Sequence, residues 1–158
     1  MATINATISI ASPDLTTSPL SLNKTMTLSK AGTTTGLEQT SGIVRRKFTS
    51  DAQVDLVTAG AQNYGTPTAS SSEAAGKIYI KNTGTSTTDY VNIGLGTSSG
   101  VTGATADAVT SVINVTLGRL YGGDWMLIPY DGTATVGDIW IHPSSSSAVS
   151  VEYILFFE

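Results

Sequence analysis

A chain of 158 residues is the length of one ordinary domain, long enough to bury most of the surface that its unfolded form exposes. Apolar residues make up 40% and charged residues 13%, the latter about half the share usual in soluble domains; 25 Thr and 19 Ser fill the gap. The net charge of −4 opposes general binding of free nucleic acid, which needs a basic field. The absence of cysteine excludes disulfides, thiolate nucleophiles and thiolate metal sites.

Threonine favours strands through its branched Cβ, while Ser and Gly favour turns, so the composition leans toward β structure. Ile4, Ala6, Ile8 and Ile10 alternate with Asn5, Thr7 and Ser9, the period of a half-buried strand. This opening segment lacks the basic and apolar runs of a secretory signal, which predicts synthesis and retention in the cytoplasm. Ser12, Pro13 and Asp14 break the strand. Leu20, Leu22, Met26 and Leu28 then resume the alternation, with Lys24 as the polar intrusion. Residues 30–42, rich in Thr and Gly, predict an exposed loop. A strand is expected from Ile43 through Thr49, and 51–58 fits either a short strand or one helical turn.

Residues 59–76 read as a second long polar loop. Ile78 and Ile80 alternate with Lys77, Tyr79 and Lys81, and Tyr90, Val91, Ile93 and Leu95 follow a Gly-containing stretch, which predicts an antiparallel pair. Residues 97–110 form a third small-residue insertion, after which Ile113, Val115 and Leu117 return to strand spacing. Further strands are expected within 124–130, 136–142 and 149–157; the last, apolar on both faces near its end, should be interior to a sheet. No segment sustains a helical period and none is long and apolar enough to span a bilayer. About eight to ten short strands predict an all-β, single-domain sandwich, with a jelly roll among its topologies.

Catalytic patterns are sparse. His142 is the single histidine, and a strand-end position beside Pro143 accounts for it without catalysis. The carboxylates Asp51 and Asp55, and Asp131 and Asp138, read as turn residues as readily as a catalytic pair. The Gly-rich segments 94–100 and 118–123 do not match a phosphate-binding loop. Asn5, Asn23 and Asn114 head glycosylation-like triplets of the kind that a Thr-rich chain produces by chance. These observations predict a protein that is not an enzyme and carries no organic cofactor or transition metal. Loop carboxylates and carbonyls leave calcium open.

Candidate protein-contact residues fall in two places. Arg45, Arg46 and Lys47 form the concentrated basic patch of an acidic chain, readable as a solvated edge strand or as a surface for an acidic partner. Tyr121 and Trp125 flank the turn Gly122-Gly123-Asp124, readable as core anchors or as exposed contacts. Tyr64, Tyr121, Trp125 and Trp140 are the aromatics that a carbohydrate-binding sandwich would use.

The phrases Lys77-Ile-Tyr-Ile-Lys-Asn-Thr-Gly84, Asp89-Tyr-Val-Asn-Ile-Gly-Leu-Gly96 and Leu117-Gly-Arg-Leu-Tyr-Gly-Gly-Asp-Trp-Met-Leu-Ile-Pro129 resemble small virion structural proteins of tailed bacteriophages, including phages of cyanobacteria. The likeness covers roughly 77–158. It implies a capsid decoration or cement protein, present in many copies on the virion after synthesis in the host cytoplasm. Its implied partners are the major capsid protein or other virion proteins. It also implies a homo-oligomer, with a trimer the favoured form, and no membrane. A tail, neck or baseplate component and a carbohydrate-binding sandwich on a host-recognition fibre are the alternatives. In either assembly setting, 30–42 and 59–76 are expected to supply contacts.

Overall fold

The computed structural model describes residues 4–14, 19–29, 39–49, 52–58, 75–96, 115–130, 138–144 and 148–157. They hold eleven strands: β1 (Ile4–Ser12), β2 (Leu20–Leu28), β3 (Gln39–Thr40), β4 (Val44–Phe48), β5 (Val54–Val57), β6 (Ala75–Asn82), β7 (Tyr90–Leu95), β8 (Val115–Tyr121), β9 (Trp125–Pro129), β10 (Ile139–Pro143) and β11 (Val149–Phe157). The chain divides into two compact units, one within Met1–Glu38 and the other Gln39–Phe157.

The first unit is a two-stranded antiparallel ribbon. β1 and β2 pair over nine residues each, from Ile4 opposite Leu28 to Ser12 opposite Leu20. Because side chains alternate along a strand, this register gathers Ile4, Ala6, Ile8, Ile10, Leu20, Leu22, Met26 and Leu28 on one face, together with Lys24. The other face is polar, and there Thr7 and Thr25 share a hydrogen bond of 2.9 Å while the Thr27 hydroxyl donates to Asn5 Oδ1.

The second unit is a β-sandwich of two antiparallel sheets. One has the order β5-β10-β7-β8; in the other β11 is central, flanked by β6 and then β9 on one side and by β3 and β4 on the opposite side. From β4 onward, successive strands lie in opposite sheets except for the neighbours β7 and β8. β6 and β7 therefore do not form the antiparallel pair that their sequence spacing predicts, because residues 83–89 carry the chain from one sheet to the other. Of the two readings of 51–58, the strand is correct: Val54–Val57 adds to the edge of β10. The expected loop 30–42 contains β3, which gains its structure from pairing with Phe156 and Phe157 at the end of β11. Residues 30–38, 59–74 and 97–110 of the three predicted loops lie outside the described residues.

The core follows from alternation. Ile78 and Ile80 of β6 and Val151 and Leu155 of β11 join Val91 and Ile93 of β7 and Ile139 and Ile141 of β10 in one cluster, all fully buried. Each such side chain contributes about 1.5–3 kcal/mol through removal from water. β11 is interior, as its doubly apolar end predicts. The step between β3 and β4 along its edge is bridged by Ser41, whose N–H donates to Leu155 O while its hydroxyl oxygen accepts from Leu155 N–H at 2.9 Å. Gly42 follows with φ of +68°, a left-handed conformation that costs glycine little.

Candidate interaction surface

β4 turns the basic triplet into two different structures. Arg45 and Lys47 lie on the outer face, opposite Glu152 and Ser150 of β11, and both are exposed. Arg45 pairs with the Glu152 carboxylate at 3.0 Å. Arg46 points the other way: its Nη1 donates to the carbonyl oxygens of Asp55 at 2.7 Å and Leu56 at 2.9 Å, and its guanidinium lies 5.1 Å from the Phe48 ring centroid. It ties β4 of one sheet to β5 of the other, so its charge is committed within the fold.

The outer face of the β11 sheet extends this surface well beyond the triplet. Strand register sets Arg45, Glu152, Lys81 and Trp125 in one row across four strands. The next row along β11, β6 and β9 is Ile154, Tyr79 and Leu127, and Lys77 stands beyond it, opposite Phe156 and Pro129. Trp125 is 47% exposed, and its ring centroid lies 6.0 Å from that of Tyr79. Burial, with the Glu152 carboxylate adding to it, pushes the Tyr79 hydroxyl above its ordinary pKa of 10.0. Four of the eight Lys and Arg residues of the chain (Arg45, Lys47, Lys77 and Lys81) thus share one sheet face, whose described strands carry one acid, Glu152. Lys77, Tyr79 and Lys81 carry no contact signal in sequence beyond their alternation; only the pairing of β6 between β11 and β9 brings them beside Arg45 and Trp125.

Tyr121 belongs to the outer face of the opposite sheet. Its ring meets Tyr90 edge-on at 5.3 Å, and the Arg119 guanidinium stacks 4.5 Å from the Tyr90 centroid. Tyr121 and Trp125, close in sequence, are therefore on different sheets, separated by the turn that crosses the sandwich edge. That turn closes through Asp124 N–H to Tyr121 O at 2.9 Å, with Gly123 at φ +90° in the position where a type II turn demands glycine. The Asp124 carboxylate accepts from Tyr121 N–H.

The turn is anchored on Asn82, which is almost wholly buried. Its backbone donates to Asp124 O and accepts from Gly123 N–H, its Nδ2 donates to Leu120 O at 3.0 Å, and its Oδ1 accepts from Gly84 N–H at 2.9 Å. A cleft of about 240 Å³ lies beside it, bordered by Ser86, Asp89, Gly122 and Val149 among others. Its Asn82 amide and Ser86 hydroxyl are engaged with backbone groups of the fold. Among the described residues no group of three or more His, Cys, Asp or Glu side chains could hold a metal ion.

Of the carbohydrate candidates, Trp140 is buried and donates its Nε1–H to Leu95 O at 3.1 Å, so it presents no stacking surface. Tyr64 lies outside the described residues. His142 stands on β10 opposite Asn92 and is partly buried. On the ribbon unit, Ile8, Ile10, Leu20, Leu22 and Met26 are 39–51% exposed, and Leu28 is the only buried side chain among that unit's described residues. Comparison of the chain with protein-family models, with curated proteins and with solved structures finds no match.

Proposed function

We propose that this chain is a non-enzymatic structural protein of a tailed-bacteriophage virion, acting as a capsid decoration protein that lies across junctions between major capsid subunits. The resemblance of 77–158 to such proteins supplies the setting, and the β-sandwich is compatible with it. One observation carries the assembly reading. The ribbon is a two-stranded sheet with an apolar face, and its side chains Ile8, Ile10, Leu22 and Met26 are each about half exposed. A two-stranded sheet alone is marginally stable in water and gains most from a surface that covers such a face. A cement protein meets that requirement by burying the face against the shell, and added contact area opposes separation of the subunits.

Co-sedimentation of the purified chain with capsids lacking it tests this reading. Saturable occupancy on the shell, lost when the first unit is removed, is the expected result. Occupancy confined to the tail in labelled particles would replace decoration by the tail, neck or baseplate alternative. Binding to arrayed glycans with none to particles would favour the receptor alternative and overturn the decoration role.

A further inference from the structure

We infer that the outer face of the β11 sheet is a docking surface for an acidic polypeptide segment of another protein, with Trp125 of the edge strand β9 and the adjacent Tyr79 as its apolar end and Lys81, Lys77, Arg45 and Lys47 as the charges that lead across the sheet from it. The identification of the occupant as protein rests on the assembly reading above; the chemistry of the face stands on its own residues.

The chain carries 12 acids against eight Lys and Arg, yet four of those eight cations lie on this one face beside the single acid Glu152 of its strands. Among the described residues of these strands the face therefore carries four cations against one acid, in a chain whose overall balance is acidic. Such an excess attracts a carboxylate-bearing partner and steers its approach. Toward the edge strand β9 the face turns apolar: Trp125 is 47% exposed beside Tyr79, with Ile154 and Leu127 completing the adjacent row. An exposed tryptophan beside a tyrosine is of the composition enriched at interface hot spots, where a ring anchors and nearby charges select.

The same charges decide among occupants. A second copy docking face to face through a two-fold axis would set this positive excess against itself, which like-charge repulsion disfavours. Nucleic acid would need a continuous cationic track, whereas Glu152 interrupts the row between Arg45 and Lys81 and the whole chain repels polyanions at long range. A peptide with an apolar residue at one end of a run of spaced carboxylates meets each part of the face. Glu152 then serves as a spacer that holds Arg45 at 3.0 Å and fixes its position beside the site.

The intact chain reports on this directly, because Trp140 is buried and Trp125 is the exposed member of the two tryptophans. The probe is a synthetic Glu-rich peptide containing Leu and Phe, titrated against tryptophan fluorescence at low salt in the absence of particles. The expected result is a saturable change, absent in Trp125→Phe, that weakens with added salt. Binding of that peptide, followed by anisotropy of a label on it, should fall about tenfold in Lys47→Gln/Lys81→Gln. Lys47→Gln alone, at an exposed position whose loss leaves the core untouched, should weaken binding in the same direction. No saturable binding, equal binding of a peptide with Lys in place of Glu, tighter binding of single-stranded DNA, or affinity unchanged in both correctly folded variants would overturn the inference. Attachment to particles with no peptide binding would sink this surface while leaving the decoration role standing. The reverse outcome would separate them in the other direction.

Discussion

The indole of Trp140 in β10 lies against the backbone of Gly94 in β7, its opposite residue in the ladder, and donates Nε1–H to Leu95 O at 3.1 Å. A methyl group at position 94 would overlap the indole and sit 2.5 Å from the Val115 carbonyl oxygen of the next strand. Neither obstacle is a flexible side-chain end, so the strain falls on two strand pairings at once. Gly94→Ala should cost about 3 kcal/mol or more, at the upper end of overpacking effects. Gly118, where an added Cβ meets nothing within 4 Å, provides the control. Gly118→Ala should leave stability within about 1 kcal/mol, with any change tending to stabilise. Urea unfolding of the two variants checks the contrast, and equal effects would refute this account of the glycine.

Asn82 offers a second test of the sandwich edge, because one buried amide serves two connections that cross between the sheets. Asn82→Ala leaves the Leu120 carbonyl without its side-chain donor and Gly84 N–H without its acceptor, a loss of about 2–3 kcal/mol. Asn82→Asp keeps an acceptor for Gly84 but turns oxygen toward the Leu120 carbonyl, so it should recover only part of that. Amide exchange at Gly84 should accelerate in Asn82→Ala more than in Asn82→Asp.

How far this arrangement is legible in the sequence depends on what each residue needs to reveal itself. Strand positions show through period-two alternation, as in Ile4 to Ile10 and Lys77 to Asn82, because burial of one face acts locally. The partner of a strand does not show in the same way. Lys77–Asn82 and Tyr90–Leu95 have the spacing of a hairpin, yet Thr83 binds Ser150 O through both its N–H and its hydroxyl and the chain passes to the other sheet. The contact residues divide likewise. Arg45 and Trp125 are visible by their chemistry, whereas Tyr79 and Lys81 acquire a place between them only through pairing of β6 with β11 and β9. Arg46 is indistinguishable from Arg45 until the facing sheet supplies the carbonyls that bind it.

That difference between adjacent arginines is measurable. Arg46→Ser removes two charge-assisted hydrogen bonds between the sheets and the guanidinium contact with Phe48, and should destabilise by about 2–3 kcal/mol. Arg45→Ser removes an ion pair whose arginine is 72% exposed, an interaction of the class worth about 0–1 kcal/mol. Thermal unfolding at low and high salt separates them. The small Arg45 effect should shrink with screening and the Arg46 effect should persist.

The raised Tyr79 pKa makes an alkaline prediction. In the folded chain, burial and then Glu152 disfavour the phenolate, so the unfolded chain releases this proton at a lower pH than the folded one. The folded state therefore binds more protons above the ordinary tyrosine value of 10.0, and stability falls as pH rises through that value toward the higher folded pKa. Below it the contribution is fully present. Tyr79→Phe, which retains a ring beside Trp125, should flatten part of the alkaline loss in denaturant midpoints while leaving neutral stability nearly unchanged. A parallel alkaline slope in wild type and variant would contradict this assignment.

The ribbon face gives the prediction that bears most directly on assembly. Ile8 and Met26 lie on the same apolar face of β1 and β2, two residues apart in register, and are 43% and 51% exposed. Replacing both by Thr keeps strand propensity and the Ile4 to Leu28 register while removing large apolar surface from water-facing positions. Since these groups are already exposed, the variant should unfold within about 0.5 kcal/mol of the wild-type chain. It should also bind less of a hydrophobic dye, because less contiguous apolar surface remains for it. If the face is covered on the virion, the substitutions remove transfer energy gained only on attachment, at about 25 cal/mol per Å² of apolar area, and should weaken occupancy about tenfold or more. Lys24, on the same face opposite Ile8, supplies a further check: Lys24→Leu should strengthen attachment if the opposing surface is apolar and weaken it if an acid waits there. Occupancy unaltered by the Thr pair and by Lys24→Leu, with dye binding reduced, would show that the ribbon face is exposed surface with no part in attachment.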